Sequence, residues 1–269
     1  MLLSSVIIVL REVLEAALLF SILIALSKQL DLTVRWLGLS VFVGTCGAIV
    51  YGINVEYVSE WFDGVGQEVT NALLQLVVYF MLVFYMLMLS YFLHEHKTSG
   101  NLLKFFMIVI TSLAMTREGA EIILYFFSVT RHDNYFLATL IGMTIGASIG
   151  VSIGLLFYYL LRSLSSNKSI IIGMALLLLV AAGMVSQASL LLIQADWLPA
   201  QLPLWDTSAY LSEKSVVGQL LYAVIGYEST PTSIQASLYV LAYIFPISLL
   251  IGLKFMTART KNRQALQSR

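Results

Sequence analysis

Long apolar runs, separated by short polar segments, follow one another along nearly the whole chain. Seven of these runs are long enough to cross a hydrocarbon core of about 30 Å at a helical rise of about 1.5 Å per residue. They cover approximately residues 2–27, 36–55, 71–93, 103–128, 135–161, 170–193 and 234–256. The pattern predicts an all-α, polytopic membrane protein with seven transmembrane helices.

The composition agrees with a membrane location. Hydrophobic residues make up 59% of the 269 residues, charged residues 11%, and the mean hydropathy is +0.88. A soluble domain is typically about a quarter charged, so this excess of apolar side chains excludes a soluble enzyme. The formal net charge is zero, which gives no electrostatic reason to expect a nucleic-acid partner. The single cysteine, Cys46, excludes a disulfide framework and a thiolate metal cage.

Basic residues are distributed unevenly among the segments that join the apolar runs. With the N-terminus outside, eleven lysines and arginines fall in cytoplasmic segments, and only Arg131 and Lys214 fall outside. Because cytoplasmic loops are enriched in basic residues, we predict an external N-terminus and a cytoplasmic C-terminus in the plasma or inner membrane. Nine acidic residues then lie outside, where their field attracts cations.

Six charged residues lie well inside two of the predicted spans. They form two copies of the pattern Arg-Glu-x-x-Glu, namely Arg11, Glu12 and Glu15 in the first span and Arg117, Glu118 and Glu121 in the fourth. On an insertion scale each charge costs about 2.5–3.5 kcal/mol at the centre of a membrane helix. Charges at this depth therefore need partners or a function.

The spacing within each motif indicates how its side chains meet. The arginine and the second glutamate are four residues apart, so they are neighbours on one helix face. The two glutamates are three residues apart, which places them about 60° from each other around the helix. Two facing motifs supply four carboxylates and two guanidinium groups, and such an oxygen site suits a hard cation such as iron, manganese or magnesium. The alternative is an ion-pair network that only holds helices together.

The order of the motifs also predicts a symmetry. Three spans precede the second copy, so the first and fourth helices run in opposite directions. Residues 1–93 and 102–193 are then two inverted three-helix repeats, and transporters with such repeats bind substrate near the midplane, at the repeat interface. We expect one domain over 1–269, in which an external loop over 194–233 is followed by a seventh helix over 234–256 and a cytoplasmic tail over 257–269.

The sequence resembles the oxidase-dependent iron transporter family, which comprises fungal high-affinity iron permeases and bacterial iron-uptake permeases. Members carry Arg-Glu-x-x-Glu motifs in the first and fourth of seven helices, as does this chain. The segments LPLWDTS at 202–208 and GQLLYAVIGYESTP at 218–231, and Tyr243 and Pro246 in the last span, are also similar to the family. The likeness covers nearly the whole chain.

The resemblance implies import of iron, in the ferric form, after an external oxidase or iron-delivery protein has acted. It implies that Glu12, Glu15, Glu118 and Glu121 bind the metal. It also implies that Arg11 and Arg117 balance their charge. Iron is then the transported substrate, and no cofactor and no enzymatic activity are expected; an oligomer is compatible with the resemblance.

The chain departs from the family pattern in two places. Val13 and Ala120 replace a glycine and a leucine within the motifs, and neither replacement affects a ligand. Asn71 and Ala72 stand where relatives often have Glu-Gly, so an outer carboxylate is missing there unless Glu68 serves instead. His94, Glu95 and His96 lie near the cytoplasmic end of the third span and are candidates to receive iron as it leaves the site. The alternative is that they are only a charged helix end.

Other readings of the same residues remain open. Oxygen ligands also suit manganese or lead, and a non-transporting scaffold subunit would use the charged pairs for assembly alone. A haem-binding subunit is disfavoured because two haems between helices need about four mid-span histidines, whereas the chain has three, all near helix ends.

Glycines recur every fourth residue from Gly142 to Gly154, which is typical of a close helix–helix contact.

Overall fold

The computed structural model describes residues 2–95, 100–130, 136–213 and 215–267. Regular structure within these ranges is helical apart from one isolated bridge between Pro203 and Thr232, which confirms the predicted all-α class. The helices are α1 (Leu2–Gln29), α2 (Trp36–Ile53), α3 (Val55–Ser59), α4 (Trp61–Gly64), α5 (Gly66–Glu95), α6 (Gly100–Thr130), α7 (Phe136–Ser163), α8 (Ser166–Gln194), α9 (Val216–Ile225) and α10 (Ser233–Gln267).

The long helices follow the predicted apolar runs. Five of them, α2, α5, α7, α8 and α10, are long and apolar enough to cross a membrane. Helices α1 and α6 have 28 and 31 residues, which is sufficient length, but they carry the motif charges. That these two helices also cross the membrane stays a prediction.

Two segments outside the predicted spans are also helical. The segment between α2 and α5 forms the short helices α3 and α4, with Phe62 and Asp63 in the left-handed region at φ 54° and 64°. Helix α10 continues to Gln267, past the predicted end of the seventh helix at residue 256 and through most of the predicted tail. The apolar part of α10 that could span a membrane is Ser233–Leu253.

The long helices pack in pairs whose members are distant in sequence. Helix α1 packs along α7, α2 along α6, and α5 along α8. Small residues permit close approach: a Cβ on Gly146 of α7 would lie 2.5 Å from the carbonyl oxygen of Val6, and one on Gly119 of α6 would lie 2.8 Å from the Cβ of Ala48. The predicted glycine contact on α7 is therefore present, and it is made with α1.

Helix α8 lies at the centre of the fold, whereas α7 lies at its edge. The most apolar window is 61% buried in α8 but 22% buried in α7. The main core cluster includes Leu23, Leu82, Tyr85 and Leu177, each fully buried. The outer faces of α7 and α10 expose many large apolar side chains, as expected for helices that contact lipid rather than water.

The segment between α8 and α10 enters the helical bundle. Ala223 of α9 packs against Leu14 and Leu18 in the middle of α1. The helix ends at Gly226, whose φ of +65° places it in the left-handed region, and a Cβ on Gly183 of α8 would lie 3.0 Å from the Cα of Gly226. The sequence predicted an external loop over 194–233. Within that loop, α9 lies against the middle of α1, and the turn that follows it lies against Gly183 of α8.

Candidate metal centre

The two Arg-Glu-x-x-Glu motifs meet where α1 contacts α6. Glu12, Glu118 and Glu121 each present one carboxylate oxygen, and these three oxygens lie within 4.8 Å of one another. We call this group the carboxylate cluster. Glu12 and Glu118 are buried, at 4% and 2% exposure, while the side chain of Glu121 is 27% exposed. Glu121 is therefore the member of the cluster that water reaches most easily.

Arg117 is held by carboxylates on both helices. Its Nη1 lies 2.6 Å from Oε1 of Glu118 and 3.4 Å from Oε2 of Glu15, and its Nη2 lies 3.3 Å from Oε1 of Glu121. The guanidinium is buried at 5% exposure, so these contacts replace the water that it loses. The ion pair with Glu121 is the one that the four-residue spacing predicts.

Arg11 has a different environment. Its Nε lies 3.8 Å from Oε1 of Glu12 and 3.6 Å from Oε1 of Glu15, and its side chain is 35% exposed. Its Nη2 donates a hydrogen bond to the hydroxyl of Tyr222, and its guanidinium carbon lies 3.9 Å from the centre of the Tyr222 ring. The predicted pair with Glu15 is present, but the shortest polar contact of Arg11 is with α9.

Glu15 lies between the two arginines rather than within the carboxylate cluster. Its Oε1 faces Nε of Arg11, and its Oε2 faces Nη1 of Arg117. Sequence reasoning treated Glu15 as equivalent to the other three glutamates. In the structure, Glu15 links the charges of the two motifs and compensates the two guanidinium groups.

Several buried oxygens at the centre have room for a further partner. Oε2 of Glu12, Oε2 of Glu118 and Oε1 of Glu15 make no hydrogen bond with any described residue. Buried polar atoms are seldom left in this state unless an ion or water completes the site. Carboxylate oxygens favour hard cations, so this donor set suits an ion of that class.

Two further polar residues support Glu121. The Nδ2 of Asn71 on α5 donates a hydrogen bond of 3.2 Å to Oε1 of Glu121, and the hydroxyl of Tyr51 on α2 donates one of 2.9 Å to Oδ1 of Asn71. Sequence analysis noted Asn71 only as a departure from the family pattern. Its amide supplies a donor to the carboxylate cluster where a glutamate would supply another acceptor.

Two cavities lie on either side of the centre. One, of about 790 Å³, is lined by Glu56, Ser59, Gln67 and Ser128 among others, at the ends of α2 and α6 and the start of α5. The other, of about 390 Å³, includes Glu12 and Glu118 and extends along α1 towards Ile24. Apart from Ser21, the side chains that line it beyond the two carboxylates are apolar. The two linings therefore extend in opposite directions along α6, from Leu124 to Ser128 in the first cavity and from Ile122 back to Met115 in the second.

The other candidate residues belong to α5 or lie beyond the described ranges. Glu68 is half-buried near the start of α5. His94 and Glu95 belong to the last turn of α5, at the opposite end of a 30-residue helix, and His96 lies outside the described residues. Glu68 does not belong to the carboxylate cluster that the described residues form.

Comparison with known proteins adds independent evidence. The profile of the iron permease FTR1 family matches residues 2–265. The chain is similar to the ferrous iron permease EfeU of Shigella sonnei, with 25% identity over 274 residues that cover 96% of this chain and 98% of the relative. It is also 26% identical over 259 residues to the ferrous iron permease EfeU of Yersinia pestis, covering 90% of each chain. No solved structure gives a significant match.

Proposed function

Because the chain belongs to the iron permease FTR1 family, we propose that it imports iron into the cytoplasm through the carboxylate cluster between α1 and α6. The observation that carries this proposal is the meeting of Glu12, Glu118 and Glu121 from two distant motifs, with oxygens within 4.8 Å of one another. All four glutamates contact an arginine, but a network that served only to join helices would also be expected to satisfy its buried oxygens. Here buried oxygens of Glu12 and Glu118 are left without a hydrogen-bond partner among the described residues.

The two cavities supply a route to and from this site. With the N-terminus outside, the cavity of about 790 Å³ near Glu56 and Gln67 opens outwards. Iron then meets Glu121 first, because its side chain is the most exposed of the cluster, and passes to Glu12 and Glu118. The cavity of about 390 Å³ leads from these two residues towards the cytoplasmic end of α1.

Helix packing supports two inverted repeats. If the repeats exchange α1 with α6, α2 with α7 and α5 with α8, the α1–α7 contact becomes the α6–α2 contact. These are the two most extensive helix contacts in the fold, and the α5–α8 contact maps onto itself. All seven long helices cross the membrane in this arrangement, and the motifs lie near the symmetry axis at mid-depth, where transporters with inverted repeats bind substrate.

The family resemblance and the matched relatives point to different oxidation states of the transported iron. The resemblance to oxidase-dependent transporters favours ferric iron supplied by an external oxidase, whereas the names of the matched relatives specify ferrous iron. The protein would act as a transporter and not as an enzyme. Oxidation, where it occurs, is then the task of another chain, and we propose such an external partner on this ground.

Uptake of radioactive iron by proteoliposomes that contain the purified protein tests the proposal. Ferric and ferrous ions are offered separately to wild type, Glu118→Gln and Glu60→Gln. Glu118→Gln keeps the shape of the side chain but removes its charge, so we expect uptake to fall by about 100-fold or more, since even residues that only support a ligand cost 10–100-fold in affinity. Glu60, an exposed glutamate, is the matched control and should have no effect.

The outcomes separate the alternatives. Full uptake by Glu118→Gln would refute the assigned site. Uptake of manganese or lead in preference to iron would favour a permease for another cation, and correctly folded protein that binds and moves no cation would favour the scaffold.

A further inference from the structure

Arg11, the arginine of the first motif, makes its closest polar contact with a tyrosine and not with a carboxylate. Its Nη2 donates to the hydroxyl of Tyr222, and its guanidinium carbon lies 3.9 Å from the centre of that ring. The face of an aromatic ring attracts a guanidinium because the ring quadrupole is negative there. The Nε, by contrast, makes no hydrogen bond among the described residues, and the nearest oxygens of Glu12 and Glu15 are 3.8 and 3.6 Å away.

Helix α9 holds Tyr222 firmly at this depth. The hydroxyl of Tyr239 on α10 donates a hydrogen bond of 2.5 Å to the carbonyl oxygen of Ile225. Gly226 then turns the chain directly against Gly183 of α8, where the two backbones touch. With Ala223 packed on α1, contacts with three helices fix the C-terminal turn of α9, which follows Tyr222 directly, so the position of the Tyr222 ring is set by the fold.

Within the described ranges, the arginine of the second motif has no such aromatic partner. Arg117 has a contact of 2.6 Å with Glu118 and pairs with Glu15 and Glu121 as well. Among the described residues, only Arg11 lies over an aromatic ring. One arginine of the pair is therefore engaged by the acids, and the other is drawn towards a tyrosine from outside the two predicted repeats.

Building on the proposed function, we propose that Tyr222 is a positioning residue that holds Arg11 away from Glu12 and Glu15 and so keeps their oxygens available to the transported cation. Without Tyr222 the guanidinium would form close ion pairs with these two carboxylates, as Arg117 does with Glu118. A cation would then have to displace it, and the affinity for the cation would fall.

The test is the concentration dependence of iron uptake by three variants. Tyr222→Phe keeps the ring and removes the hydroxyl, and we expect the KM for iron to rise about tenfold, the effect of one hydrogen bond to a charged group, with the maximal rate within about twofold of wild type. Tyr222→Leu removes the ring as well and should raise KM further. Tyr227→Phe is the control, because this tyrosine of the same loop bonds Thr207 and Leu211.

A double variant shows whether Tyr222 acts through Arg11. In an Arg11→Gln background the tyrosine has no guanidinium to hold, so Tyr222→Phe should change KM by less than about twofold. Two residues that act as a unit are non-additive in this way. A tenfold increase in KM that persists in the Arg11→Gln background would overturn the proposal.

Equilibrium binding of Mn²⁺ to the same purified proteins, measured by electron paramagnetic resonance, separates this inference from the proposed function. Unchanged KM and unchanged Mn²⁺ affinity in Tyr222→Phe, with normal uptake by wild type, would overturn the inference alone. If Tyr222→Phe lowers the Mn²⁺ affinity about tenfold and the wild-type protein moves no iron, the inference would be supported and the transport of iron refuted. A wild type that neither binds Mn²⁺ nor moves iron would overturn both.

Discussion

The two copies of Arg-Glu-x-x-Glu have the same charges and spacing but different surroundings. Around Arg117 three carboxylates from two helices approach to between 2.6 and 3.4 Å, and the guanidinium is buried. Around Arg11 the ion pairs are longer, a third of the side chain is exposed, and a tyrosine from α9 supplies the shortest contact. The difference arises from a segment that belongs to neither predicted repeat.

This comparison shows how a symmetric pair of motifs can produce an asymmetric site. With both arginines fully engaged, two guanidinium groups would compensate half of the charge of four carboxylates and would occupy oxygens that a cation needs. With one arginine drawn aside, negative charge remains at the contact between α1 and α6. We therefore expect the Arg117 side of the centre to contribute stability and the Arg11 side to leave carboxylate oxygens for a cation.

The largest difference is expected between Arg117→Met and Arg11→Met. Removal of Arg117 leaves Glu118 buried without its cation and Glu15 with only its longer contact to Arg11. Breaking a buried pair in this way costs about 3–5 kcal/mol. Removal of Arg11 should cost about 1 kcal/mol or less, as for partly exposed ion pairs. Thermal unfolding in detergent measures both changes. Equal losses of stability would show that the two motifs are equivalent after all.

The next comparison concerns two glutamates on one helix. Glu12→Gln removes a member of the carboxylate cluster, so we expect the KM for iron to rise by about 100-fold, at the upper limit for groups that support a metal. Glu15→Gln removes the bridge between the arginines, and about a tenfold rise is expected because the ligands themselves are retained. The KM values of the two variants, measured from iron uptake by proteoliposomes, test this difference. A larger effect at Glu15 would place that residue among the ligands.

A smaller effect is expected where α7 supports the first motif. The Cβ of Gly146→Ala would lie 2.5 Å from the carbonyl oxygen of Val6, and overpacking of this kind costs about 1–3 kcal/mol. Gly38→Ala on α2 is the matched control, since nothing lies within 4 Å of its Cβ. The two melting temperatures should differ by several degrees. An unchanged melting temperature for Gly146→Ala would indicate that α1 and α7 separate readily.

The smallest effect concerns Glu228, in the loop that carries α9. Burial and the neighbouring Glu213 raise the pKa of Glu228 to about 7, while the charge of Arg11 opposes the rise. The folded state therefore retains a proton that the unfolded chain loses near pH 4.5. As a result, the free energy of unfolding falls as the pH rises from about 4.5 to about 7, and it stays lower above that pH. Glu228→Gln should abolish this fall, as seen in melting temperatures between about pH 5 and 8.

Arg11→Met provides the complementary measurement. It should raise the pKa of Glu228 further and extend the fall to higher pH. A pH dependence that Glu228→Gln leaves intact would assign it to another group.

The sequence predicted much of the fold because the relevant signals are local. Apolar runs located the long helices, and the spacing of Arg117 and Glu121 predicted their ion pair. The glycine series from Gly142 predicted a close contact on α7. A second series, Ser40, Gly44, Ala48 and Gly52, is buried in α2 in the same way and was present in the sequence at the same four-residue spacing, but sequence analysis did not single it out.

Other features depend on contacts between distant residues and have no local signal. Nothing in the sequence around Tyr222 indicates that it lies over Arg11, which is more than 200 residues earlier in the chain. Likewise, the bond from Asn71 to Glu121 joins two helices whose relative position follows from packing alone. The unequal roles of Glu12 and Glu15 also follow from these contacts, since the sequence presents both as equivalent carboxylates.

The glycine contacts have a mechanical consequence. Backbones that touch directly leave no flexible side chains to absorb sliding, and packed interfaces of this kind deform little. The α1–α7 pair and the α2–α6 pair should therefore each move as one rigid body, and the slip plane between them passes through the less extensive contact of α1 with α6. That plane holds Glu12 opposite Glu118, so a displacement of about 1–2 Å, typical of helix shifts, would widen or close the coordination shell itself.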